Sequence, residues 1–242
     1  SGVPETSPAH SINQLCASGM RAVAEAYKTI KLGEASVVLA GGMENMTGSP
    51  HEANLRGGTK MGDFKMVDSM LRDGLIDVFH NYHMGVTAEN LAKKYQITRA
   101  DQDAFAAQSQ ARALEATKAG RFREEIVDVI VKDRKGEKAL NVDEHITADT
   151  TVESLGKLRP AFDKEGTVTA GNASGINDGA AAVVVMTGDQ AKKRGIEPLG
   201  RIVSWGTTGC DPSIMGIGPV GASQKALHPD RAAAHHVADL DR

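Results

Sequence analysis

The chain has 242 residues, of which 40% are hydrophobic and 24% charged, and these are ordinary values for a globular protein with a real core. Its net charge is −3 with acids and bases mixed, which excludes the electrostatic footprint of a nucleic-acid-binding protein. No apolar stretch reaches the roughly 18 residues of a membrane helix. With only two cysteines, Cys16 and Cys210, we expect no disulfide framework and a reducing compartment, the cytoplasm.

The beginning of the chain predicts a helix followed by a strand. Apolar residues from Met20 to Ile30 recur at helical spacing, and Gly33 supplies a stop. Residues 36–42 form a short strand that is apolar on both faces, which is typical of a buried parallel sheet, and residues 180–186 form a second such strand. The pattern predicts a layered α/β fold.

Between these two strands the composition changes, and we predict an inserted α+β region. The predicted elements are a loop region over 47–77, a helix over 84–95, a helix from the capping box of Thr98 and Asp101 to Gly120, a strand over 126–131, and a turn at 135–136 before another extended run. Residues 201–205 predict a further strand. The chain ends in a polar tail with His235 and His236, which we predict to be solvated.

Cys16 lies where a loop becomes a helix, in a segment of mostly small and polar residues over 13–19. Backbone N–H groups and the helix dipole at that end favour a thiolate. The same N–H groups are suited to an oxyanion that forms at an acylated cysteine. Position alone favours the alternative, a small buried thiol that fills a helix start, because free cysteine is among the most buried residue types.

Segment 13–19 resembles the nucleophile segment of the thiolase family. Blocks at 40–46, 80–90, 171–180 and 215–219 resemble further motifs of that family and follow in family order, up to about Leu227. The His83-Met84-Gly85 form is similar to the short-chain, acetoacetyl-CoA-forming thiolases. The resemblance therefore implies a thiolase-like layered α/β fold with an inserted loop domain.

The resemblance also implies a mechanism and a set of binding residues. Cys16 would take the acyl group from one acyl-CoA, and the α-carbon of a second acetyl-CoA would attack it; the reverse reaction is thiolysis. We expect no cofactor, because coenzyme A thioesters are the substrates, and no metal, because nothing completes a ligand set around His80 and His83. The implied substrate- and CoA-binding residues are Leu75, His83, Met84, Ser154, Phe162, Ala170, Ser174 and Met215. Met84 as a core residue and 171–179 as a plain glycine turn are the structural alternatives.

Thiolases have two similar halves, and the resemblance implies that this chain is incomplete at both ends. We expect residues 1–47 and 177–200 to belong to an N-terminal half-domain, 48–176 to an inserted loop domain, and 201–242 to the start of an incomplete C-terminal half-domain. The catalytic histidine, second cysteine and water-binding asparagine of the family would lie in the missing part. Segment 52–71 resembles the family's tetramer-forming segment and implies a homotetramer. A non-catalytic CoA-binding or oligomerisation fragment is the alternative function.

Overall fold

The structure, a computed structural model, describes residues 2–134 and 136–228. They divide into two units. Unit 1 takes in the residues up to Ile76, from Ile176 to Cys210 and from Ile217 onward, and unit 2 comprises Asp77–Gly175 and Asp211–Gly216. The predicted division into half-domains and a loop domain stays a prediction.

The described part of the chain contains six α-helices and eight strands. The elements are α1 (Ser18–Lys31), β1 (Val37–Asn45), β2 (His51–Glu52), β3 (Val67–Asp68), β4 (Ile76–Asp77), β5 (Tyr82–His83), α2 (Met84–Tyr95), α3 (Arg99–Lys118), β6 (Val129–Asp133), β7 (Gly136–Leu140), α4 (Val152–Gly156), β8 (Asp178–Met186), α5 (Gly188–Lys193) and α6 (Gly218–Leu227), with a π-helical turn at Leu71–Leu75 and a 3₁₀ segment at Pro212–Ile217. None of the described helices is long and apolar enough to cross a bilayer.

In unit 1, helix α1 packs on a ladder of β1 and β8. The prediction that these two strands belong to one sheet is confirmed, with Val37 opposite Met186 and Asn45 opposite Asp178. The predicted parallel direction is wrong, because the strands run antiparallel. Apolar residues on both faces indicate what a strand can pack against, whereas its direction depends on the path of the chain between the strands.

Helix α1 is held on its sheet by small side chains and at its far end by aromatic ones. Ala24 and Ala26 are buried. Tyr27 packs edge-to-face on Trp205 with ring centroids 5.3 Å apart. As predicted, the helix ends close to Gly33, whose φ of +76° suits a residue without a Cβ. Two buried alanines and one aromatic pair therefore hold the helix that follows Cys16.

Unit 2 is built around α2 and α3, which begin where the sequence predicts. Helix α2 has the predicted bounds, and Thr98 and Asp101 form a capping box in which each side chain accepts the other's backbone N–H. Helix α3 packs against α4. Among the described residues of unit 2, the buried apolar side chains are Ala92, Leu155, Val168 and Ile214.

Other expectations for the chain had mixed outcomes. Residues 47–77 form the expected loop region with short strands, and β6 begins three residues later than predicted. The strand predicted over 201–205 is wrong, since these residues lie in no ladder. Instead Ser204 donates its hydroxyl to the carbonyl of Ala226 in α6 at 2.5 Å. Residue 135 of the predicted turn and the tail with His235 and His236 lie outside the described residues.

Candidate active site

Cys16 lies in unit 1, exposed, two residues before α1. Leu15 before it has a φ of +49°, a left-handed conformation that is uncommon for a branched side chain. Local hydrogen bonds hold it: Asn13 Oδ1 accepts the N–H of Leu15 at 3.0 Å, and the Ser18 hydroxyl donates to the Leu15 carbonyl at 2.7 Å. The alternative of a buried thiol is therefore wrong, and the backbone presents Cys16 to solvent.

The start of α1 is suited to a negative charge. Its N-cap residue, Ala17, provides no side-chain hydrogen bond, and no acidic side chain lies in the first turn. The first N–H groups of a helix lack partners inside the helix and carry the positive end of its dipole. The N–H groups of Ala17 and Ser18 already donate to the carbonyls of Gln14 and Leu15, at 3.1 Å each. An oxyanion next to Cys16 would therefore rely on the later N–H groups of the first turn, which no side chain caps.

A glycine pair seats the Cys16 end of α1 on the sheet. A Cβ placed on Gly42 in β1 would lie 3.1 Å from the Cα of Gly19 in α1. A Cβ on Gly19 would lie 3.9 Å from the Cα of Gly42, an ordinary contact, so the tight position is that of Gly42. Gly19 and Gly42 thus bring the first turn of α1 directly against β1.

We expect Gly42→Ala to lower the free energy of unfolding by about 1–2 kcal/mol and to slow alkylation of Cys16, because the added methyl group displaces the first turn of α1. Gly179→Ala in β8 is the matched control, since a Cβ there meets nothing within 4 Å. Urea denaturation and iodoacetamide kinetics check both changes. Equal stability and equal thiol reactivity of the two variants would contradict this role for the glycine pair.

An open cleft of about 1420 Å³ in unit 1 includes Cys16. It runs along β1 and past the π-helical turn. Among the described residues that line it there are five acids but no lysine or arginine. Two of those acids, Glu52 and Asp73, are paired with Arg72, and the hydrogen bond from Arg72 lowers the pKa of Asp73. This charge distribution suits an uncharged acyl group rather than a phosphate.

In unit 2, the rings of His83 and Phe162 lie against each other. Their rings stack with centroids 4.6 Å apart, and His83 is the N-cap of α2. Its Nδ1 accepts the N–H of Gly85 at 3.0 Å, which assigns the proton of a neutral ring to Nε2. A Cβ on Gly85 would come within 2.4 Å of the Phe162 ring, so only glycine allows this stacking.

The second histidine of that segment, His80, has different partners. Its Nδ1 lies 2.5 Å from Oδ2 of Asp77, and its ring stacks on Tyr82. Burial works to raise the pKa of Asp77, but hydrogen bonds from the side chain and backbone of His80 hold it below its ordinary value. His80 and His83 therefore contact different groups and do not share a ligand site. No three potential ligands cluster for a metal among the described residues.

Met84 and Met215 lie in unit 2 on segments that one side chain joins. Asn90 in α2 donates from Nδ2 to the carbonyl of Ser213 at 3.0 Å, which fixes the 3₁₀ segment that carries Met215. Met84 is half-buried at the start of α2, and Met215 is 41% exposed. Met84 is therefore neither fully packed in the core nor free in solvent.

The other residues of the predicted site lie apart in the chain. Ala170 and Ser174 are exposed in a loop of unit 2, and half-buried Leu75 ends the π-helical turn of unit 1. Ser154 is exposed in α4, where it forms a capping box with Thr151. Its hydroxyl accepts the N–H of Thr151 at 3.0 Å, so a ligand would share it with the helix cap.

Sequence reasoning missed two buried carboxylates in unit 2, Glu89 and Asp103, which are 2% and 3% exposed. Glu89 accepts hydrogen bonds from residues 167 and 168, and Asp103 accepts one from Asn172. Neither position stood out in the sequence, because acidic residues on helices are normally exposed and are buried only with partners.

Unit 1 is a layered α/β unit with an exposed cysteine just before a helix whose start has no side-chain cap. The N-terminal domain of thiolase matches residues 1–189. The chain is 58% identical over 240 residues to the acetyl-CoA acetyltransferases of Shinella zoogloeoides and Rhizobium meliloti. It is also similar to human mitochondrial 3-ketoacyl-CoA thiolase (TM-score 0.90, 47% identity, 96% of this chain and 58% of that one) and to the Bacillus anthracis acetyl-CoA acetyltransferase (TM-score 0.89, 41% identity, 98% and 64%).

This chain belongs to the thiolase family, a family of enzymes, and the expected thiolase-like α/β fold is confirmed. The alignments take in 99% of this chain and 60% of each of those two curated relatives. The chain thus spans about three fifths of their length.

Proposed function

We propose that the chain carries the acyl-accepting part of an acyltransferase that condenses two acetyl-CoA molecules to acetoacetyl-CoA and CoA, or catalyses the reverse thiolysis. The observation that carries the proposal is the exposed Cys16 at the uncapped start of α1, in a chain of the thiolase family. Its relatives named acetyl-CoA acetyltransferase support the short-chain substrate.

In the first step the Cys16 thiolate attacks the thioester carbonyl of acetyl-CoA. The carbon–sulfur bond to CoA breaks, CoA leaves as a thiolate, and an acetyl-cysteine thioester forms. N–H groups of the first turn of α1 after Ser18 stabilise the oxyanion of the tetrahedral intermediate. Because one thioester replaces another, the exchange is close to balanced and needs no redox partner.

In the second step a base removes an α-proton from a second acetyl-CoA, and the resulting carbanion attacks the acetyl group on Cys16. A carbon–carbon bond forms, the bond to the Cys16 sulfur breaks, and the thiolate is restored. The proton removed balances the one that the departing CoA takes up. We assign this base to none of the described residues.

The residues of unit 2 bind the CoA part of the substrate in this proposal. His83, Met84 and Phe162 contact the acyl and pantetheine end, with the Nε2–H of His83 as a donor for a carbonyl oxygen. Met215 lines the same end, Ala170 and Ser174 follow the pantetheine, and Ser154 lies near the adenine. Leu75 of unit 1 is a further substrate-binding residue in this proposal. The stacking of His83 on Phe162 over Gly85 supports a preformed apolar wall with one polar group.

We further propose that the protein is a cytoplasmic homotetramer. The segment between β2 and β3 supports association, since its apolar side chains are strongly exposed. Examples are Leu55, Met61 and Phe64, at 61%, 94% and 56%. Exposed apolar patches of this kind are typical of subunit contacts.

Thiolysis of acetoacetyl-CoA by CoA tests the proposal. The full chain is mixed with both compounds, formation of acetyl-CoA is followed by chromatography, and the Cys16→Ala chain serves as blank. Turnover that depends on Cys16 supports the acyltransferase. Calorimetric binding of CoA without turnover supports the alternative, a non-catalytic CoA-binding module. If neither turnover nor CoA binding is detected, both the proposed function and the alternative are overturned.

A further inference from the structure

Residues 167–172 form a loop segment of unit 2 that contains two buried residues. Thr169 is 0% exposed and Val168 is 6% exposed, although neither belongs to a helix or a longer strand. Buried backbone groups outside regular structure need side-chain partners. Two buried carboxylates, one on α2 and one on α3, supply them.

Glu89 of α2 holds the beginning of this segment. Its carboxylate accepts the N–H of Thr167 at 2.8 Å, the N–H of Val168 at 2.8 Å and the Thr167 hydroxyl at 3.0 Å. A Cβ on Gly166 would lie 2.2 Å from Oε1 of Glu89, so the chain passes directly over the carboxylate. Hydrogen bonds to a charged acceptor are among the stronger ones in proteins.

Asn172 closes the other end of the segment. Its Nδ2 donates to Oδ1 of Asp103 at 2.9 Å and to the carbonyl of Thr167 at 3.0 Å, and its Oδ1 accepts the N–H of Thr169 at 2.7 Å. Both amide hydrogens and the amide oxygen are therefore used. Asp103 is itself fixed, since Arg99 donates to its other oxygen at 2.7 Å.

The anchored backbone ends at Asn172, and the residues that follow are exposed. Ala170 lies two residues before Asn172, and Ser174 lies two residues after it. The geometry points to Asn172 as a positioning residue that fixes where Ala170 and Ser174 meet the pantetheine of CoA, an inference that rests on the proposed function. If the amide is lost, CoA binding has to order this loop, and the apparent affinity falls by the fraction of molecules in the ordered state.

The test is Asn172→Asp in the full chain, which turns the amide donor into a carboxylate facing Asp103. Arg99 pairs with one oxygen of Asp103, and the new carboxylate faces and repels the other. The Thr167 carbonyl also loses its donor, so the loop opens. We expect the affinity for CoA, measured by calorimetry, to fall by about tenfold or more. We also expect the rate of hydrogen exchange at the amides of Val168 and Thr169, measured without ligand, to rise by about tenfold or more.

Three further variants keep the result specific. Gln108→Glu adds the same charge at an exposed position of α3, so binding within about twofold of wild type excludes a general repulsion of the CoA phosphates. Asn172→Asp combined with Asp103→Asn restores a donor–acceptor pair and is expected to recover most of the lost affinity. Asn172→Ser removes the amide without a charge, and it replaces Asn172→Asp if circular dichroism shows that the latter is unfolded.

Wild-type affinity in a folded Asn172→Asp chain with accelerated exchange would overturn the positioning role alone. An equal loss of affinity in Gln108→Glu, or no recovery in the double variant, would also overturn it. Failure of the wild-type chain to bind CoA would refute the proposed function, and the inference with it.

Discussion

Replacing Cys16 with serine is expected to slow acetyl transfer from acetyl-CoA by on the order of a thousandfold or more. Serine has nearly the same size and keeps the start of α1 intact, but its hydroxyl is scarcely ionised at neutral pH and is a weak nucleophile. Exchange of labelled CoA into acetyl-CoA measures this step alone. The exchange needs only the first half-reaction and therefore no base for the α-proton.

The chain provides its own control in Cys210, which is also exposed and outside any disulfide. Cys210→Ser is expected to exchange at the wild-type rate, because Cys210 lies before the 3₁₀ segment and not at the start of a long helix. Normal exchange in Cys16→Ser, or its loss in Cys210→Ser, would contradict the assignment of the nucleophile.

Replacing Glu89 with glutamine is expected to lower the free energy of unfolding by about 3 kcal/mol or more. Three groups donate to the carboxylate, namely the N–H groups of Thr167 and Val168 and the Thr167 hydroxyl. Glutamine presents one oxygen to them and turns its NH₂ group towards donors. At least one buried N–H is then left without an acceptor, which costs its full desolvation penalty.

Denaturant titration followed by circular dichroism measures this change. Glu115→Gln, the same substitution at an exposed position of α3, is expected to lie within about 0.5 kcal/mol of wild type. A stability loss for Glu89→Gln no larger than that of Glu115→Gln would show that the carboxylate does not anchor the loop.

The helices of unit 2 were the easiest elements to predict, because their signals are local. The capping box of Thr98 and Asp101 uses side chains three residues apart, and it forms as predicted. Helix α2 also has its predicted bounds, although its start depends on His83, which accepts the N–H of Gly85 in place of an ordinary cap. A signal contained within one helical turn does not depend on which other segments pack against the helix.

Features that depend on residues far apart were not predictable from the pattern. The antiparallel pairing of β1 with β8 is set by more than a hundred intervening residues. Residues 201–205 have strand-like composition but no ladder, because a strand also needs a neighbour that accepts its hydrogen bonds.

The candidate site divides in the same way. Cys16 and His83 stand out through their motifs, whereas the stacking of His83 on Phe162 joins residues 79 positions apart. The burial of Glu89 and Asp103 is likewise visible only in the structure, since acidic residues on helices are normally exposed. The roles of the CoA-binding residues stay predictions.

The most direct test of the central claim is peptide mapping by mass spectrometry after the full chain is exposed to acetyl-CoA, with Cys16→Ala alongside. We expect one acetyl group per chain, on the peptide that contains Cys16 and removable by hydroxylamine as a thioester, and no label in the variant. Acetylation confined to lysines, or to Cys210, would contradict the claim that the start of α1 presents an acyl-accepting thiol.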